Sequence, residues 1–272
     1  MKKVIIGILV VMGLMFAGNA LAFDSSRLSA TLEYNNVDKD FEMNLTAKDT
    51  VPLFFPLNLT TNMQVEEIEV EQMLVKLGYK LNENITPYIL LGNTNMKMDT
   101  SYNLGATWWF LSGSWNTSTD LNFNQEFTWG IGSEGKIIEL PYEINLGYDS
   151  RATWFSAEDD ADFIFGSTNH LDVDYNEISI SLIADKKFEI NKVVQSISPY
   201  FGVNYTRINM DIESRTKMLG ILNDVVVEDD VHSNNFSLLV GAKCQINDNL
   251  SIKVGGTFLD NKGVQIAGTW QF

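Results

Sequence analysis

An all-β fold, a transmembrane antiparallel up-and-down β-barrel of about ten strands, is what three features of the chain predict. Apolar residues recur at every second position along nearly its whole length, the pattern of strands with one apolar face. Short and long connections between these stretches alternate, as in a barrel with tight turns at one rim and longer loops at the other. Beyond the amino-terminal run, no apolar segment approaches the ~20 residues of a spanning helix.

The first 22 residues stand apart. Met1-Lys2-Lys3 is a basic start, an apolar run follows over 4–17, and Ala20-Leu21-Ala22 places small residues two apart. This reads as a secretory signal over 1–22, removed to leave a barrel over 23–272. No cysteine lies at the junction, so a lipid anchor is not expected.

The strands then follow in order. Leu28, Ala30, Leu32 and Tyr34 open the series near 27–36. Met73, Val75, Leu77, Tyr79 and Leu81 mark 68–81, and Ile85-Thr86-Pro87-Tyr88 starts 85–97. Leu121, Phe123, Phe127, Trp129 and Ile131 form one stripe over 119–132. A turn is expected at Ser133-Glu134-Gly135-Lys136, and the stripe from Ile138 through Tyr142 to Tyr148 covers 138–150. Ile178, Ile180 and Leu182 mark 176–188, and Ile197-Ser198-Pro199-Tyr200 starts 197–211. Phe236 to Ile246, Leu250 to Phe258 and Val264 to Phe272 supply the last strands at 234–246, 249–258 and 263–272. Stretches 37–67, 99–119, 151–175 and 213–233 are polar or acidic and are expected as long loops. Tyr102 to Phe110 fits a strand or a loop, so eight or twelve strands are the alternatives to ten.

The face opposite the apolar stripes carries Glu33, Lys76, Lys80, Glu126, Glu139, Glu143, Glu177, Asp185, Lys187, Lys243 and Lys253. A ten-stranded barrel is narrow. These charges are therefore expected in the lumen, paired across it, because unpaired buried charges are costly. Aromatics near strand ends, among them Tyr34, Tyr148, Phe258 and Trp270, suit interfacial girdles.

The stretch Gly263 to Phe272 resembles the carboxy-terminal assembly signal of Gram-negative outer-membrane barrels. Gln265, Ala267, Trp270 and Phe272 match its polar, small and two hydrophobic positions, with Ala where Gly is usual. The resemblance implies the cell outer membrane as the location and the barrel-assembly machinery, outer-membrane lipid and lipopolysaccharide as partners. In general pattern the chain is similar to small barrels of the outer-membrane-protein-A, opacity-protein type (OmpA/opacity-type).

Function is less legible. The formal charge of −16 disfavours nucleic acid. The single cysteine, Cys244, excludes an internal disulfide, and with two histidines a Cys/His metal site is not expected. No cofactor is implied. The expectation is a structural or surface-contact barrel with a largely filled lumen and no enzymatic activity; a small porin-like channel is the alternative. The second alternative is an outer-membrane hydrolase, since some barrels of this size class are proteases with Asp and His at the rim and others lipid hydrolases with His-x-Ser. His170 with Asp172 and Asp174, and His232 with Ser233, are the residues it would use. Adjacent residues on a strand face opposite ways, which weakens the second pair. Asp172-Val173-Asp174-Tyr175-Asn176 begins like a calcium loop, but Glu177 and Ile183 stand where Gly and Glu are needed. The acidic loop clusters at 158–162 and 228–230 are expected to be solvated, with weak divalent-cation binding as a sharper reading. The apolar stretches 51–57 and 108–110 are unusual for loops, and three roles are open to them: a plug in the barrel mouth, a rest on the outer leaflet, or contact with a partner.

Overall fold

Among the described residues, ten long antiparallel strands pair into one closed sheet. The computed structural model describes residues 24–51, 57–108, 111–162, 168–190, 194–217 and 225–272. The segment 1–22 and the apolar stretches 52–56 and 109–110 lie outside the described residues.

The strands are β1 (Leu28–Val51), β2 (Leu57–Tyr79), β3 (Thr86–Trp108), β4 (Leu111–Leu140), β5 (Ile144–Asp162) and β6 (Thr168–Lys186). A two-residue β7 (Phe188–Glu189) rides on β8 (Ser196–Lys217), which is followed by β9 (Val225–Gln245), β10 (Leu250–Leu259) and β11 (Asn261–Gln271). Consecutive long strands pair throughout, β6 with β8 across the short β7. The barrel closes where β1 meets β11 (Leu32 opposite Gly268) and where β6 meets β8 (Ile180 opposite Tyr205). Tyr102 belongs to β3, so the ten-strand reading holds and the alternatives of eight and twelve fall away.

Eight of these strands are 19–30 residues long, about twice the 9–11 that cross a bilayer. The expected long loops at 37–67, 99–119, 151–175 and 213–233 are mostly strand among the described residues. The reason is visible on β2. Toward the short-turn end, Met73, Val75 and Leu77 face outward while Gln72 and Lys76 face inward. Toward the hairpin end the same outward row continues as Glu67, Glu69 and Glu71, with Ile68 and Val70 inside. The alternation never stops; its sense reverses where lipid gives way to water.

The sheet also divides at that level. Pairing of β4 with β5 ends at Trp129 opposite Trp154, whose stacked rings lie 4.5 Å apart. Pairing of β1 with β11 ends at Lys39 opposite Asn261, and of β9 with β10 at Ser237 opposite Leu259. Beyond these points β1–β2–β3–β4 and β5–β6–β8–β9 are separate four-stranded sheets, face to face. Phe41, Met98 and Phe123 from the first and Leu171, Tyr175 and Met210 from the second are fully buried between them, in one apolar core. The molecule is a barrel at the turn end and a β-sandwich at the hairpin end.

Two expectations from β4 are corrected. Gln125, at a positive φ of 60°, is an extra residue in the β3–β4 pairing. Such a bulge shifts side-chain parity by one. Leu121 and Phe123 therefore point into the core, while Phe127 and Ile131 point outward; they are not one stripe. The turn lies at Pro141–Glu143 and not at 133–136. Proline fits poorly within a strand, and Tyr142 and Glu143 adopt left-handed backbone there. Gly135 is instead a strand residue against which the β2–β3 turn packs: a Cβ on it would lie 1.9 Å from the Asn84 carbonyl oxygen.

Candidate functional site

The barrel interior concentrates the buried charge. Inward positions of β1, β2, β5, β6 and β10 hold Glu33, Lys39, Lys76, Asp149, Arg151, Glu177 and Lys253, with Glu134 at the lower edge. Each is on the polar-in face that the lipid-facing stripe imposes on its strand. Lys39 and Glu177 are in direct contact, each side chain under a tenth exposed. Tyr175 joins them: Lys39 Nζ donates to its hydroxyl at 2.9 Å, and the hydroxyl donates to Glu177 Oε2 at 2.7 Å. The Tyr175 ring stacks on Phe155 at 4.5 Å in the apolar core above. One side chain thus links the two layers, its ring dry and its hydroxyl in the polar network.

Lower down, Lys76 Nζ lies 3.5 Å from Glu33 and 2.8 Å from Glu134, and sits over the Tyr88 ring at 4.6 Å. Arg151 reaches Glu33 at 3.6 Å, and the Tyr88 hydroxyl donates to Asp149. Lys253 Nζ lies 5.0 Å from the Tyr200 ring centroid. That tyrosine crosses Gly241 and Gly255, where a Cβ would come within 2.4 and 1.9 Å of its hydroxyl oxygen. A small polar cavity of about 80 Å³ lies between these groups, lined by Gln72, Asp149, Arg151, Glu177 and Lys253 among others. Polar side chains complete the wall, for example Gln72 donating to Thr94 at 3.2 Å and Ser181 to Asn204 at 2.9 Å.

Of the expected lumen charges, Glu33, Lys76, Glu177 and Lys253 line this interior. Asp185 and Lys243 lie on the inward face near the turn rim, partly or fully exposed. Glu126 is half-exposed beside the Gln125 bulge. Lys80, Glu139, Glu143 and Lys187 are not in the lumen: they are exposed at the turn end, Glu139 paired with Lys136 and Lys187 with Glu189. Lys80, Glu143 and Lys187 lie just past their strand ends, and Glu139 lies in the last two residues of β4 at the rim. Asp149 lies on the polar face opposite the 138–148 stripe, and Lys39 and Arg151 lie just beyond the expected strand ends at 36 and 150. Extending β1 past 36 and β5 past 150 at unchanged period would have found Lys39 and Arg151.

In the terminal strand, Gln265 and Ala267 face the lumen, and Trp270 and Phe272 face outward. The Phe272 N–H donates to Leu28 O at 3.2 Å. On the outer surface of the sandwich, His170 Nε2 lies 3.3 Å from Asp172 Oδ1. Asp174, Asp211 and Asp230 stand directly opposite one another on β6, β8 and β9. Partial desolvation, the Asp230 carboxyl and the Asp174 charge together raise the pKa of Asp211 above the usual aspartate value. His232 faces outward, whereas Ser233 is half-buried and donates to Asn235 at 2.7 Å.

Large apolar side chains, among them Leu32, Met73, Phe127, Ile180, Val254 and Ile266, are about half exposed around the barrel wall. Water does not tolerate so continuous a belt, and lipid does. A closed sheet with this belt and a polar interior defines a transmembrane β-barrel of the outer-membrane class. The protein is placed in the outer membrane.

No protein-family model and no curated relative matches the chain. Among solved structures it is similar to the outer-membrane protease OmpT from Escherichia coli, at 11% identity over 93% of this chain and 99% of that chain, TM-score 0.49. It is also similar to the beta domain of the Bordetella autotransporter BrkA, at 8% identity over 90% and 98%, TM-score 0.45. A third is the translocator domain of the autotransporter NalP from Neisseria meningitidis, at 8% identity over 100% and 98%, TM-score 0.28. Identities and scores this low transfer no residue role.

Proposed function

We propose that the protein is a closed, non-conducting and non-catalytic barrel that carries a rigid β-sandwich above the outer membrane as a structural or surface-contact element. The observation that carries this reading is the apolar core of the sandwich, which lies across the outer mouth above a lumen of paired charges. Ions entering from outside would have to cross a dry layer containing Phe41, Phe123 and Tyr175. In this reading the barrel works like the small filled barrels of the outer-membrane-protein-A, opacity-protein type, with outer-membrane lipid and lipopolysaccharide around it. Purified protein in a planar bilayer is expected to leave the membrane electrically silent. Discrete, reproducible conductance steps would replace this reading with that of a small channel.

Gln265, Ala267, Trp270 and Phe272 act in the same reading as the signal that the barrel-assembly machinery engages. Phe272 is 59% exposed, and its side chain adds little to the folded barrel. Phe272→Asp is therefore expected to lower the amount assembled in cells while detergent refolding of the purified chain stays normal. Undiminished assembly in cells would remove the signal role.

A further inference from the structure

On the outer surface of the sandwich, β5 and β6 bring three metal-ligating side chains together. Glu158 stands directly opposite Asp172, and His170 precedes Asp172 by two residues, so all three share one face. One ligand atom from each lies within 4.8 Å of the other two. Ligands around a single ion at ~2.1 Å are at most ~4.2 Å apart, so small rotamer adjustments close the set. The backbone ladder between the strands fixes this spacing, as no loop does.

The donor set separates this place from the acidic rows beside it. Asp174, Asp211 and Asp230 offer oxygen alone, which suits calcium or magnesium. An imidazole nitrogen with two carboxylates suits zinc and similar transition ions. The row also holds Glu213 directly opposite Asp172 on the next strand.

We propose that Glu158, His170 and Asp172 bind one divalent transition-metal ion of the zinc type, its remaining coordination positions open to solvent. The ion pins the outer part of β5 to β6. At this level β5 is the edge of its sheet, because its pairing with β4 ends at Trp154.

The test uses the full barrel without a histidine tag, folded in detergent and titrated with Zn²⁺ against a chromophoric chelator. The wild type is expected to bind one ion per chain. His170→Ala and Glu158→Gln are expected to lose more than the ~10-fold in affinity that removing a supporting partner costs. Both sites are on the surface, and the shift in gel mobility between unboiled and boiled samples reports that each variant is folded. His232→Ala, at the other histidine of the chain, is expected to bind as wild type. Unchanged Zn²⁺ affinity in folded His170→Ala overturns the proposal. So does displacement of Zn²⁺ by an equal concentration of Ca²⁺, which would mark an acidic surface without an imidazole ligand.

Discussion

Glu177→Gln is expected to lower the unfolding free energy by about 3–5 kcal/mol, the usual cost of leaving one member of a buried ion pair unpartnered. The carboxylate contacts Lys39 and accepts from Tyr175, in a layer closed to solvent. Removing its charge leaves the Lys39 ammonium, itself 5% exposed, without its ion pair. Replacing both partners with apolar residues of similar size, in Lys39→Met with Glu177→Leu, removes both desolvation penalties at once. Such replacements are often neutral or stabilising, so the double variant is expected to regain most of the loss. Urea unfolding in lipid vesicles, followed by tryptophan fluorescence, measures both. A single variant as stable as wild type would mean that the contact contributes nothing. A double variant worse than the single would mean that the layer needs these charges.

Phe123→Ala is expected to cost about 3–5 kcal/mol of the stability of the sandwich, the usual penalty for truncating a phenylalanine in a packed core. The ring is 1% exposed among residues of both sheets. A residue in a solvated loop would change stability by within about 0.5 kcal/mol when truncated. Phe127→Ala, four residues on, is the internal comparison. That ring is half exposed on the lipid-facing wall, so its removal leaves no sealed cavity and costs less. Limited proteolysis of folded protein in vesicles distinguishes the outcomes. Phe123→Ala should expose the outer halves of β3 and β4 to cleavage and leave the membrane half protected, since stability is local to cooperative units. Equal resistance of the two variants would refute the dry core across the barrel mouth, and with it the closed-barrel reading.

These two residues also show how far the chain could be read in one dimension. Phe123 and Phe127 have the same parity and so predict one stripe. The Gln125 bulge between them puts one in the sandwich core and the other against lipid. A bulge formed by a non-glycine residue at positive φ carries almost no sequence mark. The turn at Pro141–Glu143 was more legible, because Pro141 argued against the strand drawn through it. The misplaced turn at 133–136 came from reading Gly135 as a turn residue, when its small size answers a close approach by Asn84.

The lumen divides the same way. Glu33, Lys76, Glu177 and Lys253 were legible because they lie inside recognisable lipid-facing stripes. Lys39 and Arg151 lie just beyond residues 36 and 150, where the stripes legible in the sequence stop although the strands run on. The outer halves of the strands read as loops in the sequence for the same reason. Polarity along a chain records what each face meets, and above the membrane the outer face meets water.

By itself the sequence determined that this chain forms a membrane barrel of about ten strands with its tight turns at one rim. Period-two alternation with an apolar face is a local property that each strand states alone. Closure of the sheet is what makes the strands continue as two facing sheets, brings particular charges together in the lumen and lays an apolar layer over them. Inside and outside are defined by closure of the sheet, and bulges shift a strand between them without changing its period.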